Sequence, residues 1–163
     1  MELKKLMTAV TVQVALLDEL LALLERETVE MGDINIEAMT ITNLAKEELH
    51  KKIAEHTPVM QQVISNMAVR EGLSSGTSFG VIAKHLAKKG IKELHDKQEQ
   101  LIKTGNRIQR VAAMNREIAE RFASTISTSL NLITRLINQS NVYGSSGGYQ
   151  QRQTGAVMIN REA

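Results

Sequence analysis

The chain has 163 residues, enough for one domain with a real core. Two Phe, two Tyr, no Trp and a single Pro stand beside plentiful Leu, Ile, Ala, Glu, Lys and Gln, which excludes a sandwich or barrel; the absence of cysteine excludes disulfides and thiolate metal sites. Twenty basic against eighteen acidic residues leave a net charge of +2, which argues against nucleic acid or a membrane as the main partner.

The first element opens with Lys4-Lys5 and the apolar run Leu6 to Leu17, which looks like a short signal peptide. Gln13 interrupts that run, no small-residue cleavage site follows, and Asp18-Glu19 arrive at once. Leu3, Met7, Val10, Val14, Leu17, Leu21 and Leu24 alternate spacings of four and three, so the segment reads as one stripe of a helix from Glu2 to about Glu30 that stops at Gly32. No stretch approaches the ~18 apolar residues of a membrane span. A soluble, cytoplasmic protein without membrane insertion is therefore expected.

Asp33 is expected to cap the second helix, Ile34 to Arg70. Its stripe of Met39, Thr42, Lys46, Leu49, Ile53, His56, Met60, Val63 and Met67 has several polar members, which predicts looser packing. Pro58 lacks an N–H, so the helix must kink there or restart with Thr57 as N-cap. The stretch from Gly72 to Gly80 reads as a loop, followed by a short helix from Phe79 to Lys89 ending near Gly90. From Ile91 to Asn138 the pattern is helical again, with Leu101, Ile108, Asn115, Phe122, Ser129 and Leu136 one heptad apart. These elements predict an all-α fold: an elongated antiparallel bundle of three long helices plus a short one, spanning residues 1–140. Residues 141–163, rich in Gly, Ser and Gln, are expected to form a flexible tail, which holds both tyrosines, Tyr143 and Tyr149.

Chemistry is sparse along this chain. Glu47 and His50 match the Glu-x-x-His spacing of di-iron bundles, but that site needs the motif twice and neither His56, His85 nor His95 repeats it. Elemental analysis would separate a helical metal enzyme from this reading, in which no metal and no cofactor is expected. Without a Cys or a Gly-x-Ser-x-Gly turn, nucleophilic catalysis has no candidate. No Gly-Lys-Ser/Thr cradles phosphate, and four scattered aromatics make no stacking platform for nucleic acid. The chain reads as a non-enzyme. One segment stands out. From Ile118 to Ile137 the helix carries two adjoining apolar stripes: Ile118, Phe122, Leu132 and Leu136, then Ala119, Ile126, Leu130, Ile133 and Ile137. Together they span about 180°, against the ~100° that buries a surface helix in its own bundle. Either this helix is central in the bundle, or its second stripe is kept for another protein.

The helix lengths, the Gly32-Asp33 link, Asn115 within AAMNREIAERF and Val142-Tyr143-Gly144 after the last helix resemble the FlgN family of flagellar type III export chaperones. The resemblance implies a cytoplasmic helical protein that binds the C-terminal helical ends of the hook-associated proteins FlgK and FlgL and delivers them to the export gate protein FlhA. It implies cargo recognition by the last long helix, on Ile126, Leu130, Ile133 and Ile137, and gate docking by Tyr143. Tyr149 has no family counterpart. A structural coiled coil or adaptor, marked by self-association into a homo-oligomer without cargo, is the alternative reading of the same heptads.

Overall fold

The computed structural model describes the backbone of residues 1–140 and the side chains of residues 1–137. It is all-helical: α1 (Glu2–Gly32), α2 (Ile36–Arg70), α3 (Phe79–Lys88) and α4 (Glu93–Ser140). The expected tail, with Tyr143 and Tyr149, lies outside the described residues. The chain divides into two compact units, residues 1–119 and 120–163, with α4 contributing to both.

In the first unit α1 and α2 form an antiparallel hairpin. Lys46 meets Glu27 at 2.5 Å, Thr42 donates to Glu30 at 2.9 Å, and the His56 ring nitrogen lies 2.9 Å from the Ala9 carbonyl, so one number falls as the other rises. Along α4 the order is parallel to α1: Thr104 donates to Asp18 at 3.1 Å, Arg107 pairs with Glu25 at 2.6 Å, and Thr28 donates to Asn115 at 2.6 Å. The result is an up-down-up bundle in which sequential long helices are antiparallel.

One apolar cluster joins all four helices through Leu6, Val10, Met60, Met67, Ile82, Leu86 and Leu94, each buried. Burying a side chain of this size contributes roughly 1.5 to 3 kcal/mol, and methionine fills the gaps that an aromatic-poor core leaves. The mixed stripe of α2 packs as the spacing predicts, with Thr42, Leu49, Met60 and Met67 all buried. Its polar members do not loosen the seam, because Thr42, Lys46 and His56 each reach a partner on α1.

Three helix ends share one device. After α2, Gly72 stands at φ 73°, its N–H reaching the Val69 carbonyl while the Leu73 N–H reaches that of Ala68. After α3, Gly90 stands at φ 94°, with Gly90 N–H to Ala87 and Ile91 N–H to Leu86. Both are Schellman motifs, and Leu73 and Ile91 fold back onto the core. The end of α1 makes the same two bonds, Ile34 to Met31 and Asn35 to Glu30, but its left-handed residue is Ile34 at φ 53°. The stop is therefore not Gly32, which is still helical.

Other expectations are corrected here too. Asp33 is the C-cap of α1 and does not cap α2. That role falls to Asn35, whose side-chain oxygen accepts the Ala38 N–H at 3.1 Å. Thr57 is no N-cap, since α2 runs on through Pro58 and the Thr57 hydroxyl donates back to the Ile53 carbonyl at 2.8 Å. α1 is also long and apolar enough, by length and composition, to cross a membrane, contrary to the reading of the sequence. Its apolar side is occupied by Leu6, Val10, Leu23, Leu24 and Met31, all buried within the first unit.

Candidate functional site

The second unit supplies the candidate site. Every described side chain from residue 120 to residue 137 is exposed. Ile126 is 60 % exposed, Leu130 57 %, Ile133 52 % and Ile137 58 %, and the adjoining stripe shows Phe122 at 38 %, Leu132 at 55 % and Leu136 at 66 %. Seven large apolar side chains over sixteen residues of helix are thus left facing outward. Soluble surfaces rarely keep so continuous a patch without a partner for it. The bundle-centre reading of this segment, with neighbours packed on both stripes, does not describe side chains this exposed.

Hydroxyl side chains interleave with the stripes and are turned inward on their own helix. Thr125 donates to the Arg121 carbonyl at 3.0 Å, Ser129 to Thr125 at 2.9 Å and Thr134 to Leu130 at 2.9 Å. A Ser or Thr bonded to the i−4 carbonyl has satisfied its donor and offers mainly carbon outward. Thr125 and Ser129 therefore extend the Phe122, Leu132 and Leu136 stripe as weakly apolar surface, a contribution that residue type alone hides.

A polar layer lies in the first unit, where α1, α2 and α4 meet. Asn115 is buried, and its amide donates to the Leu24 carbonyl at 2.9 Å and to Glu27 at 3.0 Å. Glu27 in turn holds Lys46 of α2. The heptad series placed Asn115 on the inner face, but not its partners on α1, 87 to 91 residues away. Near the α1–α2 turn, Glu47 and His50 line an open groove with Leu20, Lys46 and Lys51. Among the described residues, no three His, Cys, Asp or Glu side chains converge as a metal site would need.

A family model with the description FlgN protein matches residues 1–151 of the chain. No curated protein and no solved structure matches it.

Proposed function

The chain belongs to the FlgN family of flagellar export chaperones, and from that premise we propose that it binds the C-terminal helical ends of the hook-associated proteins FlgK and FlgL in the cytoplasm and delivers them to the export gate protein FlhA. The observation that carries the proposal is the exposed stripe of Ile126, Leu130, Ile133 and Ile137 on a helix whose opposite side is polar. An amphipathic helix of the secreted protein lays its own apolar side against that stripe, and the contact hides two surfaces that would otherwise aggregate before export. Nothing in this task requires bond chemistry, in keeping with a chain that offers no nucleophile paired to a base.

Each Ile or Leu buried in the complex contributes ~1.5 to 3 kcal/mol, so the double substitution Leu130→Asp, Ile133→Asp weakens the complex by at least about a hundredfold. Titration of a C-terminal fragment of a hook-associated protein into the variant measures this, with circular dichroism confirming unchanged helix content. Undiminished binding by the folded variant sinks the proposal. A purely structural coiled coil predicts a different result, stable self-association and no fragment binding by the unaltered chain.

A further inference from the structure

The apolar arc of residues 118–137 is wider than one helix can cover, and its two edges differ in charge. Beside the Ile126, Leu130, Ile133 and Ile137 stripe run Glu120, Ser127 and Thr134, each one heptad apart. Beside the Phe122, Leu132 and Leu136 stripe run Arg121, Thr128 and Arg135 at the same spacing. Arg121 and Arg135 are two heptads apart, roughly 21 Å along one edge. Thr125 and Ser129, with hydroxyls bonded to their own backbone, fill the gaps between Phe122, Leu132 and Leu136, so this second stripe is continuous.

We infer that the Phe122, Leu132 and Leu136 stripe is a second docking surface, for an amphipathic helix whose apolar seam is flanked by carboxylates, and that it is filled independently of the first stripe. The inference rests on the cargo reading only in leaving Ile126, Leu130, Ile133 and Ile137 to the secreted protein. Charge selects the occupant. Carboxylates flanking the incoming seam meet the arginine edge, where Arg offers a planar, bidentate donor set that stays charged at any working pH. A second copy of the chain pairing through the same stripe brings arginine edges together, which like-charge repulsion disfavours. A helix flanked by lysines meets the same obstacle.

The test uses the full chain and two labelled synthetic helices of three heptads, identical in a Leu/Ile seam and flanked either by Glu or by Lys. Fluorescence anisotropy should show the Glu-flanked helix binding about tenfold tighter at low salt, with the preference shrinking in 1 M NaCl. Leu132→Asp with Leu136→Asp should remove binding of the Glu-flanked helix and leave the fragment of the hook-associated protein bound. Leu130→Asp with Ile133→Asp should do the reverse. Arg135→Glu should shift the preference toward the Lys-flanked helix. All these side chains are exposed, so the variants keep the fold, and circular dichroism checks it. Equal binding of the two helices overturns the inference, as does retention of the Glu-flanked helix by the Leu132, Leu136 variant. Sedimentation showing self-association that the Glu-flanked helix displaces also overturns it, in favour of a second copy. If the Leu130, Ile133 variant still binds the fragment, the cargo reading falls and the second surface stands on its own results.

Discussion

Ile34 is a β-branched residue at φ 53°, a region where its Cβ crowds the backbone and where glycine is the usual occupant. The two bonds that close α1 depend on that conformation, and equivalent bonds close α2 and α3 around Gly72 and Gly90. Left-handed strain in a non-glycine residue costs on the order of 1 to 3 kcal/mol, while the greater freedom of glycine in the unfolded chain returns up to ~1 kcal/mol. The Ile34 side chain is 64 % exposed, so little packing is lost with it. Ile34→Gly should therefore stabilise the protein by about 1 kcal/mol, read as a higher urea midpoint at unchanged slope. A lower midpoint would mean that the isoleucine side chain matters more than its backbone strain. Residue patterning could not reveal this position. Gly32 and Asp33 are the conventional stop and cap, and Ile34 looks like the first apolar residue of the next helix. Only the bonds from Ile34 and Asn35 back to Met31 and Glu30 move the turn two residues on.

At the level of elements, α2 carries Pro58 within its helical span. The ring removes the hydrogen bond that residue 58 would donate to the Ala54 carbonyl, and a mid-helix proline costs about 3 kcal/mol where the helix cannot adjust. Pro58 is exposed, so its ring crowds only its own helix and the span continues. Pro58→Ala restores the missing donor and should raise the melting temperature by several degrees, for a gain of roughly 1 to 3 kcal/mol, with cargo binding unchanged. Differential scanning calorimetry and fragment titration on the same sample decide the matter. A lower melting temperature defeats the structural account, and weakened binding by a more stable variant would reassign Pro58 to function. The elements themselves were legible, because alternating spacings of three and four in α1, α2 and α4 place the buried residues correctly. What stayed hidden was whether the polar members of the α2 stripe spoil it. Glu27, Glu30 and the Ala9 carbonyl answer that from another helix.

For the molecule as a whole, the candidate site was legible as an excess, an apolar arc wider than one helix seam requires. Its exposure was not, since the same arc suits a helix at the centre of a bundle, and only the burial of Ile126, Leu130 and Leu136 separates the two. Tyr143 lies outside the described residues, and its docking on the export gate remains a proposal with a clear test. A tyrosine pairs a flat apolar ring with a hydroxyl, a frequent anchor in partner pockets. Tyr143→Ala should leave the melting temperature and cargo affinity unchanged while weakening FlhA binding by at least about tenfold, measured by pull-down and calorimetry. A drop of several degrees in melting temperature would place the ring in the protein's own packing and end the docking proposal. The outward-facing side chains of residues 120–137 also bear on how such a chain diverges. Residues of the first unit answer to one another, so a change at Leu6 or Ile82 must be matched by its neighbours in the core. From 120 to 137 the only internal demand is that the backbone stay helical. Substitutions there are judged by whatever docks on them, and this stretch is free to follow its partners' sequences while the bundle that carries it keeps its own.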